Sequence, residues 1–181
     1  MKLKHSVAIA AVFAAATAAP AFANDRETMM IGRTVAKAGD VEKFLFPEAE
    51  CENASYMCMA VRPSNERSIG MDIKFATGSS ELTQEAKTQL EGLGKALASR
   101  NGKLAQKEIV IEGHADPRGS IDLNKQLSEK RAAAVVKHLV AAYGVDGKAL
   151  APVGRGIEDL KDPKNPEAAV NRRVELVRKP I

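Results

Sequence analysis

Ile109-Val110-Ile111-Glu112-Gly113-His114-Ala115-Asp116-Pro117-Arg118-Gly119-Ser120 is the stretch from which the fold can be read. Glu108 to Glu112 alternates, with Ile109 and Ile111 on one face and Val110 on the other, the period of a strand. Gly113, Pro117 and Gly119 then specify a tight loop, and loops beyond strand ends commonly carry binding residues. A long helix is predicted from about Ile121 to Tyr143, with Leu127, Ala134, Val135, Leu139 and Ala142 on its inner face and Gly144 as its stop.

Working toward the N-terminus, Met71, Ile73 and Phe75 alternate with Asp72 and Lys74 and predict another strand. Thr83 caps a helix with the stripe Ala86, Leu90, Leu93 and Leu97, ending before Asn101-Gly102. Toward the C-terminus, Ala149 to Val153 reads as a short strand and 159–166 as a polar loop. Ala168 and Ala169 fit a helical turn, and Val174 and Leu176 belong to a last strand. The order β-α-β-α-β-(α)-β predicts an α/β or α+β domain over 70–181 with helices packed on one sheet face.

The first 23 residues have the pattern of a signal peptide: Lys2 and Lys4, an apolar run from Val7 to Ala19, and Ala21-Phe22-Ala23 at the cleavage point. The run is short for a spanning helix, which needs about 20 residues, and no membrane span is expected in the mature chain. Residues 24–69 read as an irregular segment. Export to a compartment where disulfides persist predicts a Cys51–Cys58 disulfide, closing a loop of about 8 residues for roughly 2–3 kcal/mol. Two cysteines without a nearby histidine cannot complete a zinc site, and Asp159, Asp162 and Glu167 lack calcium-loop spacing. No metal and no cofactor is expected.

The chain has 27 Lys+Arg against 23 Asp+Glu, a net charge of +4, far from the load of a nucleic-acid-binding domain. Aromatics make up 4% and Trp is absent, which argues against base-stacking or sugar-stacking platforms. No Ser-His-Asp arrangement is suggested, so an enzyme is not expected. Asp116 falls on the loop and Arg131 on the helix, two turns (about 10 Å) beyond Asn124. One charge of each sign suits a zwitterion, the carboxylate taking an ammonium and the guanidinium forking onto a carboxylate. The same two residues would equally serve by pairing with each other.

Gly113-His114-Ala115-Asp116-x-x-Gly119, Asn124, Leu127-Ser128-x-x-Arg131-Ala132 and Asn171-Arg172-Arg173-Val174 resemble the OmpA C-terminal-like peptidoglycan-binding domain, the type of peptidoglycan-associated lipoprotein and MotB. Phe75-x-x-x-Ser79-x-x-Leu82 fits its opening strand and helix entry, and Gly154-x-Gly156 its third strand and turn. The resemblance implies an α+β fold, a sandwich of helices on a four-stranded mixed sheet, and non-covalent binding of peptide stems carrying meso-diaminopimelate, in the periplasm and at the cell wall or outer membrane. It implies Asp116 and Arg131 as the residues that hold diaminopimelate, Asn124 as support near the helix start, and Arg173 as a basic residue by the pocket. Gly113, His114 and Gly119 support the loop, His114 as a structural, hydrogen-bonded histidine. Ala115 stands where the family commonly has Thr, and Ala76 where it often has Asp.

Two other readings compete. A cell-wall-fragment hydrolase would need a carboxylate pair such as Asp116 with Glu112. An adaptor would bind an outer-membrane protein through residues 24–69, with Phe44, Leu45 and Phe46 as the contact, although these side chains equally suit covering the domain's own core.

Overall fold

The computed structural model describes residues 26–32, 34–47, 66–73, 75–76 and 78–179. The signal-peptide reading and the Cys51–Cys58 pairing lie outside these residues. Among the described residues the strands and α-helices follow in the order β1 (Glu27–Met30), α1 (Ala38–Leu45), β2 (Arg67–Met71), α2 (Gln84–Gln89), α3 (Glu91–Ala98), β3 (Ile109–His114), α4 (Ile121–Tyr143), β4 (Leu150–Gly156) and β5 (Val174–Arg178), with 3-10 turns at Gly147–Ala149 and Ala169–Asn171. The fold is α+β, as expected.

The sheet has five strands rather than four, ordered β1-β2-β5-β3-β4. The addition is β1, which runs parallel to β2 from Glu27↔Arg67 to Met30↔Gly70. Four residues without alternation carry no strand signal of their own; β1 exists through its pairing and a 2.8 Å hydrogen bond between the Thr28 and Ser68 hydroxyls. The stretch read as irregular thus supplies a strand and, in α1, a helix that buries Val41 and Leu45. The Arg100 and Arg178 guanidinium groups each lie over the Phe46 ring, at 5.1 and 4.7 Å, and Arg67 lies over Phe44 at 5.5 Å. The Phe44-Leu45-Phe46 patch therefore covers the protein's own core.

Strand β2 ends four residues earlier than the alternation of Met71, Ile73 and Phe75 predicts. Its partner β5 starts at Val174, opposite Met71, so pairing stops there. Ile73 nonetheless stays buried, and Phe75 forms only an isolated bridge with Leu82. The alternation recorded which way the side chains face, not which residues pair.

The helix capped by Thr83, whose hydroxyl accepts from Ala86 N at 3.1 Å, is divided at Leu90 into α2 and α3. In α3 the glycines allow close packing: a methyl on Gly92 would lie 1.8 Å from the Ala36 carbonyl oxygen, and one on Gly94 2.2 Å from the Tyr143 ring. Helix α4 begins at Ser120, whose hydroxyl accepts from Leu123 N, and stops at Gly144 in the left-handed region (φ 67°). Its buried face is Asn124, Ser128, Ala132, Val135 and Leu139; of the five inner residues predicted, Ala142 is exposed and Leu127 and Ala134 are half-buried. Two polar residues stand on that face because they hold backbone rather than fill space.

The helices cover one sheet face, where Ile69, Met71, Ile109, Ile111, Val174 and Leu176 meet Leu93, Leu97, Val135 and Leu139. The other face carries buried charge. Glu112 pairs directly across from Glu175 in the β3–β5 register, an arrangement that is repulsive unless cations intervene. They do: Arg155 and Arg26 pair with Glu112, the latter at 3.4 Å, and Arg173 with Glu175 at 3.1 Å.

Candidate functional site

Three backbone facts place the loop after β3. His114 N donates to the Arg173 carbonyl at 2.9 Å and Ala115 N to the Gly156 carbonyl at 2.7 Å, so the loop starts pinned between β5 and β4. The Asn124 side-chain amide donates to the Asp116 carbonyl at 3.1 Å and the Arg118 carbonyl at 2.9 Å, tying the loop to the first turn of α4. Gly119, at φ 93°, supplies the backbone conformation from which the chain turns into that helix. The Ser128 hydroxyl completes the frame, donating to Lys125 O and accepting from Gly156 N at 2.9 Å.

Asp116 is nearly closed off, its side chain 8% exposed. Arg118 Nε and Nη2 donate to Asp116 Oδ2 at 3.1 and 2.6 Å, Arg172 Nη1 donates to the same oxygen at 2.8 Å, and Arg118 N donates to Oδ1 at 3.2 Å. The side-chain bonds from Arg118 lead in holding its carboxyl down at about 2, against burial, with Arg172 adding to the effect. Arg131 is half-buried on α4. Its Nε donates to the Ser79 carbonyl at 3.1 Å and its guanidinium lies over the Phe75 ring at 4.9 Å. Among the described residues its terminal amino groups have no hydrogen-bond partner. Burial and then the nearby Arg172 charge lower its pKa, with Asp116 opposing. Asp116 and Arg131 therefore feel each other without pairing.

A cleft of about 220 Å³ opens beside these groups, lined among others by Asp72, Phe75, His114, Arg131 and Arg172. Asp116 stands one hydrogen bond behind that wall, through Arg172. The Arg172-Arg173 pair divides its work. Both residues lead into β5, the central strand of the sheet. Arg172 binds Asp116, and Arg173 touches the cleft while its guanidinium is held by Glu175 and, at 3.5 Å, by Asp159. The resemblance implied Arg173 as a basic residue by the pocket, and it lines the cleft beside Arg172, which alone of the two reaches Asp116. The signal was the parity of the strand, since Val174 and Leu176 face the core and Arg173 must share the opposite face with Glu175. Gly113 lies within β3 rather than in the loop, and its part is to let α4 come close.

His114 ends β3 at 2% exposure, and neither ring nitrogen has a hydrogen-bond partner among the described residues; Nε2 stands 3.8 Å from Glu175 Oε2. His114, Asp159 and Glu175 bring three potential metal-ligand atoms within 4.8 Å of one another, but the Arg173 guanidinium already occupies the two carboxylates. Burial, then Arg173, pushes the His114 imidazole down to about 4. The unfolded chain therefore binds more protons between that value and about 6.5, and stability rises with pH across the window. This contribution is complete above about 6.5 and falls by about 3 kcal/mol as the pH drops toward 4. Denaturant melts at pH 7 and pH 4 are expected to differ more for the wild type than for His114→Gln. Equal differences would show that the histidine does not stay neutral in the fold.

Glu112 and Asp116 do not make a catalytic pair. Glu112 belongs to the helix-free sheet face with Arg155 and Arg26, and both carboxylates are committed to arginines. A glycosidase acid needs a raised pKa, and that of Asp116 is lowered.

The OmpA family profile matches residues 74–173, and the chain belongs to the OmpA family. It is 34% identical over 109 residues to outer membrane porin F of Pseudomonas aeruginosa, covering 59% of this chain and 30% of the porin. It is 38% identical over 104 residues to the peptidoglycan-associated lipoprotein of Pseudomonas putida, covering 56% of this chain and 59% of that one. The chain thus spans less than two-thirds of the length of these curated relatives. The OmpA-like domain of FopA1 from Francisella tularensis superposes with a TM-score of 0.51 at 23% identity, over 61% of this chain and 70% of that one, and shares the fold. Among the described residues no helix is long and apolar enough to cross a membrane.

Proposed function

We propose that the chain is a non-catalytic module of the cell envelope that holds peptidoglycan without a covalent bond, through the meso-diaminopimelate of its peptide stems. The observation that carries this reading is the Arg131 guanidinium. It is stacked and anchored through Nε, and its two terminal amino groups are unclaimed among the described residues at the wall of the cleft. That is the geometry of a fork awaiting a carboxylate. Asp116, behind Arg172, supplies the opposite charge for the ammonium on the same stereocentre, and Asn124 fixes the loop that carries it. A relative named peptidoglycan-associated lipoprotein supports the same reading, as does an outer membrane porin for a place at the periplasmic face of that membrane.

Co-sedimentation with purified sacculi tests it. Lysine-type wall lacks the distal carboxylate, so retention there is expected to fall by about tenfold or more relative to diaminopimelate-type wall, the equivalent of losing one charge-assisted hydrogen bond of about 1.5–3 kcal/mol. Comparable capture by both walls would overturn the assignment.

A further inference from the structure

Asp116 is not open to a ligand in this structure. Its side chain is 8% exposed, while Arg118, which covers it, is 58% exposed. Arg118 sits two residues further along the same loop and spans its acid with Nε and Nη2. Its side chain makes no other hydrogen bond among the described residues. Arg172, by contrast, is also held through the Glu167 carbonyl at 3.2 Å and follows the fully buried Asn171, whose amide donates to three carbonyls. Of the two cations on Asp116, Arg118 is thus the one that can leave by rotating its own side chain. Glu167 lies near enough to influence Arg118 electrostatically, an anion toward which a displaced guanidinium can turn.

We propose that Arg118 is an internal stand-in for the ligand's ammonium. It holds Asp116 while the cleft is empty and is exchanged for the ligand's cation on binding, so Arg118 sets the affinity for the amine end of the ligand. This rests on the reading of the cleft as a diaminopimelate site. Cation-for-cation exchange leaves Asp116 paired in both states, so the buried acid is never left without a counter-charge. The binding-competent fraction is the fraction with Arg118 displaced, and the apparent affinity is reduced accordingly.

The test uses the full chain, wild type and Arg118→Gln, with a diaminopimelate-containing tripeptide and the same peptide acetylated on its distal amine. Arg118→Gln is expected to bind the free-amine peptide about 3- to 10-fold more tightly, with no gain for the acetylated one. A loss of affinity, no change, or an equal gain for both peptides overturns the proposal. A second arm titrates methylammonium chloride while following the Asp116 carboxyl carbon by NMR. The variant's resonance is expected to respond at lower concentration than that of the wild type, and equal responses overturn the exchange. A variant that passes this arm while neither chain binds either peptide retains the exchange and removes the diaminopimelate reading.

Discussion

Arg131→Ala is expected to abolish retention on diaminopimelate-type sacculi while leaving the protein folded. In the proposed site the half-buried guanidinium would pair with a ligand carboxylate, and truncating one side of such a pair costs about 2–5 kcal/mol. That corresponds to a loss of affinity of at least about thirtyfold. The fold depends on Arg131 much less: it loses the stack on Phe75 and one bond to the Ser79 carbonyl, about 1–2 kcal/mol together. Arg131→Lys keeps the charge without the fork and is expected to fall between the two. Isothermal titration with a stem peptide, beside a thermal melt, separates binding from stability. Full-strength binding by a well-folded Arg131→Ala chain would remove the central residue of the proposed site.

Gly113→Ala is expected to be among the most damaging single-methyl changes in the molecule. The added carbon would lie 2.2 Å from the Ser128 carbonyl oxygen and 2.9 Å from its carbon. Both atoms are helix backbone, so no side chain can rotate away and α4 must retreat from the sheet. That retreat strains the Asn124 and Ser128 bonds by which the helix holds the loop and β4. Overpacking of this kind costs about 3 kcal/mol, or roughly 6–12 °C in Tm for a chain of this size. Gly119→Ala makes the contrast. No atom lies within 4 Å of the added methyl, and only the φ of 93° resists it, at about 1–2 kcal/mol. A Gly113→Ala melt within 2 °C of wild type, on the order of half a kcal/mol, would show that helix and sheet are not in backbone contact.

These two glycines mark what the sequence makes legible. Both announce the loop, because Gly and Pro concentrate there, yet only Gly119 acts through its backbone angle. Gly113 is a spacer, and its value depends on a helix that composition cannot position. The strand β3 and the helix α4 could be read because their periods are long and clear. Strand β1 could not, since four residues become a strand only when β2 is beside them. Asp116 and Arg131 were legible as opposite charges near one tight loop. That two further arginines converge on Asp116 was not, because Arg118 folds back locally and Arg172 arrives from 56 residues away. The ionic layer of Glu112, Glu175, Arg155 and Arg26 was equally hidden. A charged residue opposite an apolar one in an alternating strand reads as solvent-facing, and only the assembled sheet shows it enclosed.

Strand β5 is the last strand in chain order and the middle one in space, bridging β2 on one side and β3 on the other. Until it arrives, β1-β2 and β3-β4 are two separate parallel ribbons with no strand pairing between them. Their joining waits on contacts between residues more than a hundred positions apart, such as Ser68 with Val177, and distant contacts of this kind slow folding. A nascent polypeptide that has reached Gly156 but not Val174 therefore holds two unsealed sheet edges, the state in which unwanted pairing with a neighbouring chain is easiest. The closing segment acts as the keystone of an arch: placed last, and carrying the weight from both sides.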